Sequence, residues 1–419
     1  MRKLLRKALL LLVRLLGAPG AFVAAQRVRQ PISHPPRILL IHPGPLGALI
    51  LTTPVLRTLK TQVPDAHLTM MVGPWSKEVV VNHPAIDQLL VYRFPSYRSV
   101  SPKGLKSYIS MVRIAWQLTR GHYDLAINLH RNFWWGAAVI YLAGIPRCIG
   151  YAVSASTPFL THALPFRSHQ HITISHLTAL SAGLQTLGYE PIPGPYTPEL
   201  YPLCFAPTIE EQQWVAQQLI AQDVDAATSL VVIHPGTSVA VKQWRSEAWA
   251  ACATALSQDW PDQSAVLFLL TGTSQERPLL EEIALLTSAR AIILTSTTVG
   301  QLAAVLGRSR LVLGVDSGPL HLAVAQGTPT LQIFGPTDPR RYGAWGSPQR
   351  HTVITSSHLC PGCPAIPCGR LHFKPGELAS HPCVRLVSEQ QVIAAIYKLL
   401  SSTELSHVGS FQVQVERHC

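Results

Sequence analysis

This sequence predicts an α/β protein built from two parallel-sheet domains, and three observations lead there. Short apolar runs that read as strands alternate with helix-like runs through both halves of the chain. Several of those runs empty into Gly-, Ser- or Thr-containing turns that open a helix, which is the junction of a βα unit. A break at 188–207, GYEPIPGPYTPELYPLCFAP, is dense in proline and separates the halves. With 419 residues, 47% hydrophobic and 13% charged, the chain can bury more than one core and is not disordered by composition.

In the first half the expected strands are Arg37–His42, 68–72, 89–91 and Leu125–Asn128. In the second they are 230–234, 265–270, Leu311–Val315 and Thr330–Phe334. The most informative stretch is 311–346, LVLGVDSGPLHLAVAQGTPTLQIFGPTDPRRYGAWG. There a strand ends in Asp316-Ser317-Gly318 and a helix follows over 319–326. A strand delivering a Gly turn to a helix N-terminus aims unpaired backbone N–H groups at one point, and with the helix dipole this binds phosphate. His321, one turn into the helix, is placed to face the same point.

Upstream, the strand at 230–234 ends in His234-Pro235-Gly236-Thr237-Ser238, followed by Lys242 and a helix from about Glu247. A lysine in such a loop neutralises a diphosphate, while Thr237 and Ser238 can bond its oxygens. The strand at 265–270 runs into Thr271-Gly272-Thr273-Ser274-Gln275-Glu276, where a carboxylate is placed to hold ribose hydroxyls. Three strand ends with phosphate and sugar chemistry predict a nucleotide site at the carboxyl edge of a parallel sheet.

The phrases HPGTSVAVKQW, TGTSQE, VDSGPLHLAVAQGTPTLQIFGPTDP and RILLIHPGPLGALILTTPVLRTLK resemble glycosyltransferase family 9, which includes the ADP-heptose:lipopolysaccharide heptosyltransferases. The likeness runs over roughly 37–400. It implies a GT-B fold, two Rossmann-like domains with parallel sheets facing across a cleft. Those would be an acceptor-side domain at 37–190, a linker at 191–207 and a nucleotide-sugar-binding domain at 208–400, with a tail at 401–419. It implies inverting transfer of a sugar, heptose among the candidates, from a nucleotide-diphosphate-sugar such as ADP-heptose to a lipopolysaccharide or other lipid-linked glycan. Thr237, Ser238, Lys242 and the N–H groups of Ser317 and Gly318 would stabilise the leaving diphosphate, with His321 approaching it. Glu276 would hold ribose and Asp316 the donor sugar. Lys242 and helix dipoles supply positive potential, so no metal cofactor is expected.

The sequence departs from the family on the acceptor side. The loop after the first strand usually carries Gly-Asp at its apex, with the Asp as general base. Here, in the loop holding Gly44, the pair is Gly47-Ala48. Base catalysis contributes about 10²–10⁴-fold, so the loss matters. His42, His130 and Asp124 are the candidate substitutes. The competing readings are a non-catalytic member that keeps the donor pocket and a GT-B nucleotide-sugar epimerase. Asn128 stands where many relatives carry an acid, and Arg245 replaces the usual Pro after Lys-x-Trp, a change read as neutral.

Residues 1–30 form a separate segment. Arg2, Lys3, Arg6, Lys7 and Arg14 fall within an arc of about 140° on a helix, and leucines fill the rest. This predicts a basic amphipathic helix lying on anionic lipid, detachable from a folded core. A signal peptide ending at Val23-Ala24-Ala25 is the rival reading. Net charge is +12, no nucleic-acid motif occurs, and a cytoplasmic protein on the inner face of the cytoplasmic membrane is expected. Cys360, Cys363, Cys368 and Cys383 form either a structural metal or redox cluster or a set of packed reduced thiols. The other four cysteines are scattered, which suits a reducing compartment. Asp223-Val224-Asp225 imitates a metal-binding motif but reads as a turn.

Overall fold

The structure is a computed structural model that describes residues 2–28, 33–94, 106–153, 155–225, 227–374 and 376–407. The side chains of 2–9, 106–107 and 403–407 lie outside that description, and with them those of Arg2, Lys3, Arg6 and Lys7. Two compact units divide between Tyr196 and Thr197, inside the Pro-rich stretch.

The first unit is a six-stranded parallel sheet in the order β3-β2-β1-β4-β5-β6. Its strands are β1 (Arg37–His42), β2 (His67–Val72), β3 (Gln88–Val91), β4 (Leu125–Asn128), β5 (Arg147–Tyr151) and β6 (His162–Leu164). The helices are α1 (Arg2–Arg27), α2 (Leu46–Ile50), α3 (Thr53–Gln62), α4 (Lys106–Thr119), α5 (Trp134–Leu142) and α6 (Ile172–Thr186). The central strands read as unbroken apolar runs such as RILLIH because parallel strands are covered on both faces; Ile38 through Ile41 are wholly buried. α1 and α4 both pack on α5, while α3 packs with α6. That flanking explains why α5, WWGAAVIYL, is apolar all round.

α1 corrects the expectation of a detachable segment. Val13 and Ala24 are buried, Gly17 is pressed against the Tyr141 ring, and the Tyr141 hydroxyl donates to the Arg14 carbonyl at 3.1 Å. Arg147 also donates to the Val28 carbonyl at 3.3 Å. A stripe of small residues at helical spacing thus docks α1 on α5, and removing it would uncover apolar surface. On a helical wheel that stripe shares its arc with the cations of the first turns, so the leucine arc is left outward. Leu11, Leu12, Leu15 and Leu16 are each more than half exposed.

The second unit repeats the plan with the order β12-β11-β10-β7-β8-β9, all parallel. Its strands are β7 (Ser229–His234), β8 (Val266–Gly272), β9 (Ala291–Thr295), β10 (Leu311–Val315), β11 (Thr330–Phe334) and β12 (His351–Thr355). Its helices are α7 (Ile209–Ile220), α8 (Ser246–Gln258), α9 (Arg277–Leu286), α10 (Val299–Arg308), α11 (Gly318–Ala325), α12 (Pro339–Tyr342) and α13 (Glu389–His407). α13 therefore continues into the stretch expected to be a tail. α7 and α10 each start with a reciprocal capping box, Thr208 with Glu211 and Thr298 with Gln301, which satisfies donors the first turn leaves free.

In both sheets the strand order reverses once, between β1 and β4 and between β7 and β10. Ligands of open parallel sheets bind outside the carboxyl ends at such a reversal. The two sites below sit there.

Candidate functional site

In the second unit the ends of β7, β8, β10 and β11 bring the expected donor-side residues together. Asp316 follows β10, and its Oδ2 accepts from Lys242 Nζ at 2.6 Å and from Thr337 Oγ1 at 2.5 Å. Both charged side chains are largely buried, 14% exposed for Lys242 and 9% for Asp316. Sequence reasoning treated the two as separate ligands of a donor; the structure pairs them with each other. It also adds Thr337, whose only signal was its place in the Gly335-Pro336-Thr337 turn closing β11.

Ser317 caps α11 in extended backbone, and its buried Oγ makes no hydrogen bond. His321 lies one turn further in, buried, with Nδ1 likewise unbonded. Burial lowers the His321 pKa to about 4, with Asp316 opposing the shift and Lys242 adding to it. The ring is therefore neutral near pH 7, an uncharged donor or acceptor beside the helix N-terminus and not a second cation. Glu276 accepts from the Thr273 backbone N–H at 2.8 Å and hydroxyl at 2.9 Å. Its carboxylate lies where any side chain at position 236 would sit, 2.2 Å from a Cβ built there. A side chain at 236 would therefore displace the Glu276 carboxylate from its present place. Thr237 and Ser238 stand on the open loop beyond, half-buried and exposed respectively.

His234 beneath this loop contacts the Thr271 hydroxyl at 3.0 Å, and burial lowers its pKa to about 4. Burial does the same for His83, His321 and His351. The unfolded chain takes up protons on these groups from about pH 6.5 downward, whereas the folded chain resists until about pH 4. Stability is therefore full above pH 6.5 and falls as pH drops toward 4. Melting temperature measured across pH 8 to 4.5 is expected to decline steeply below about 6, and a flat profile would contradict the assignment.

In the first unit, loop 43–53 is held tightly. The Gly44 N–H donates to His42 Nδ1 at 3.1 Å, and the Gly44 carbonyl accepts from Trp75 Nε1 and Ser76 Oγ, each at 3.0 Å. A Cβ at position 44 would stand 2.3 Å from the His42 ring, so glycine is required there. Gly47 and Ala48 lie in α2, and Thr52 Oγ1 donates to the Ala48 carbonyl at 2.9 Å. That leaves the Thr52 oxygen to accept from His176 Nδ1 at 3.0 Å. The His42 ring centre lies 5.2 Å from that of His176 and 6.1 Å from that of His130. His176, on α6, was missed because nothing in a helix so far along the chain announces its partner.

Two of the three substitute-base candidates are corrected by this geometry. Asp124 lies at the amino end of β4, where its Oδ2 accepts from the Arg37 N–H at 2.8 Å, at the opposite edge of the sheet from the loop. His42 is wholly buried, its Nδ1 is engaged by Gly44, and burial with two neighbouring histidines pushes its pKa well below the usual range. It shapes the loop. His130, half-buried in the turn after β4, remains. Asn128 builds that turn, its Nδ2 donating to the Phe133 carbonyl at 2.9 Å. Arg245, read as neutral, instead forms an ion pair with Glu389 at 2.9 Å and ties the donor loop to α13.

The four clustered cysteines meet as two contacting pairs, Cys363 with Cys368 and Cys383 with Cys360, and Cys363 Sγ lies 3.3 Å from His381 Nδ1. All four are free thiols, and burial with the Cys360 neighbour raises Cys383 to about 12. Among the described residues no three His, Cys, Asp or Glu side chains are arranged to hold a metal ion. Cys204, one of the four scattered cysteines read as suiting a reducing compartment, is disulfide-bonded. Asp225 spends its carboxylate on the Thr228 N–H and hydroxyl of a turn.

Two Rossmann-like units, each a six-stranded parallel sheet with one reversal of strand order, match the GT-B fold. The family model for glycosyltransferase family 9 (heptosyltransferase) matches residues 111–361, and the chain belongs to that family. Lipopolysaccharide heptosyltransferase 3 of Escherichia coli K12 is 26% identical over 305 residues, 71% of this chain and 82% of the relative. Lipopolysaccharide heptosyltransferase 1 of Pseudomonas aeruginosa is 27% identical over 333 residues, 78% and 86%. The solved structure of the E. coli ADP-heptose lps heptosyltransferase II superposes with a TM-score of 0.65 at 18% identity, covering 88% of this chain and 99% of the other.

Proposed function

We propose that the protein is an inverting glycosyltransferase of lipopolysaccharide core assembly, taking a sugar from a nucleotide-diphosphate-sugar at its second unit and an acceptor at its first. The Lys242–Asp316–Thr337 knot at the β7/β10 reversal carries this reading. It holds a largely buried cation and a carboxylate where phosphate and sugar hydroxyls bind, and the α11 N-terminus adds its dipole. In the reaction the acceptor oxygen bonds to the anomeric carbon while the bond to the diphosphate breaks on the opposite face. Lys242 exchanges part of its contact with Asp316 for the diphosphate and meets the charge that grows on the leaving group. Asp316, held by Thr337, turns to the donor sugar, Glu276 to ribose, and Ser317 and His321 to phosphate oxygens. His130 takes the acceptor proton. The relatives named for lipopolysaccharide heptose transfer support heptose as the sugar and ADP-heptose as the donor.

A second reading, a donor-binding member without turnover, rests on Ala48 alone. Titrating the full-length protein with ADP-, UDP- and GDP-sugars, then assaying transfer to deacylated and intact lipopolysaccharide core, separates the two. ADP-heptose binding with transfer is expected. Binding without transfer supports the second reading, and no binding to any nucleotide sugar overturns both.

The outward leucines of α1 support a peripheral place on the inner face of the cytoplasmic membrane. The stretch Leu10–Arg27 is long and apolar enough to span a bilayer by length and composition. Its docking along α5 supports a helix lying on the protein surface instead.

A further inference from the structure

Resting on the peripheral-membrane reading, we propose that α4 is a second membrane contact, so that the α1–α5–α4 layer of the first unit is the face laid on an anionic bilayer. On α4, Met111, Ala115 and Leu118 point into the core shared with α5. Ile109, Val112 and Trp116, at i, i+3 and i+7, form a second apolar stripe that faces outward, with Trp116 60% exposed. Large apolar side chains in a row on the surface mark an interaction site, whereas single ones are ordinary.

The charge beside the stripe identifies the occupant. Arg113 and Arg120 are exposed and fall next to it on the helical wheel, and the Arg120 guanidinium lies 3.8 Å from the Trp116 ring centre. Neither α1 nor α4 contains an Asp or Glu. A tryptophan whose ring is capped by an arginine suits the headgroup level of a bilayer, with the ring in the acyl boundary and the cation among lipid phosphates. α1 offers the same combination in Leu11, Leu12, Leu15 and Leu16 with exposed Arg14. Because both helices pack on α5, their stripes belong to one layer, and two modest contacts on one rigid body bind as a unit.

The test uses the full chain with phosphatidylcholine vesicles, alone or with phosphatidylglycerol, and the variants Val112→Glu/Trp116→Glu and Leu11→Ser/Leu12→Ser/Leu15→Ser/Leu16→Ser. Each set is expected to lower partitioning onto anionic vesicles by about tenfold while nucleotide-sugar affinity in solution is unchanged. Wild-type binding is expected to weaken with salt and to be slight on phosphatidylcholine alone. Brominated lipid is expected to quench the wild type more than Trp116→Phe. If the leucine variant loses binding and the α4 variant does not, α4 is no contact, and the peripheral reading stands. If the wild type ignores anionic vesicles, both fall. If the α4 variant instead converts a dimer to a monomer in sedimentation without lipid, the stripe serves a second copy of the chain and the proposal is overturned.

Discussion

Lys242→Ala is expected to weaken nucleotide-sugar affinity by tenfold or more, because a hydrogen bond to a charged group contributes about 1.5–3 kcal/mol. The structure adds a cost that has nothing to do with the donor. Truncating Lys242 leaves Asp316 largely buried with only the Thr337 hydroxyl bonded to its Oδ2, and breaking a buried pair from one side is far worse than replacing both members. Lys242→Ala is therefore expected to lower the melting temperature, while Lys242→Met/Asp316→Asn recovers stability but not affinity. Calorimetric titration of each variant beside its thermal melt tells the effects apart. If the double variant bound nucleotide sugar as the wild type does, the knot would be structural and the donor site would lie elsewhere. Thr337→Val should weaken binding less than either charge removal, and Thr337→Ser should restore it, since only the hydroxyl touches Asp316.

The cluster proposed as the donor side was largely legible in the sequence because its residues are local. Each strand end is followed within a few residues by the Gly, Ser, Thr or charged residue proposed to act there, as in Asp316-Ser317-Gly318. What pairs with what was not legible. Lys242 and Asp316 are far apart in the chain and meet only because β7 and β10 are neighbours in the sheet. Central strands such as Arg37–His42 and Leu311–Val315 announced themselves as unbroken apolar runs, since both faces are covered. β6 did not, because its three residues are half-buried or exposed and carry no such run, while β9 was passed over although it begins with the apolar run 291–294 and is half-buried throughout. The docking of α1 was hidden for a different reason. Its small-residue stripe shares an arc with the cations, so a helical wheel suggests a polar outer face where the structure has a contact.

Ala48→Asp is expected to raise transfer by one to a few orders of magnitude if the loop has lost its base, given a base contribution of about 10²–10⁴-fold. The surroundings favour a smaller change. Ala48 sits in α2 with its carbonyl bound by Thr52, whose oxygen is engaged in turn by His176, and the His42 ring is packed beneath Gly44. A carboxylate there would lie near the buried His42, whose pKa burial and the neighbouring His176 and His130 hold well below the usual range, and it would draw a proton onto that ring in place of the acceptor's. On the proposed reading His130, half-buried with its ring centre 6.1 Å from that of His42, takes the acceptor proton. His130→Ala is therefore expected to cut kcat by about a hundredfold or more with donor affinity unchanged, the mark of a group acting in the transition state. His42→Ala should act mainly on stability, because it removes the acceptor of the Gly44 N–H. Steady-state kinetics with titration of the donor distinguishes the cases. An active enzyme in which His130→Ala leaves kcat intact while Ala48→Asp multiplies it would show that the wild type turns over without any base in this loop.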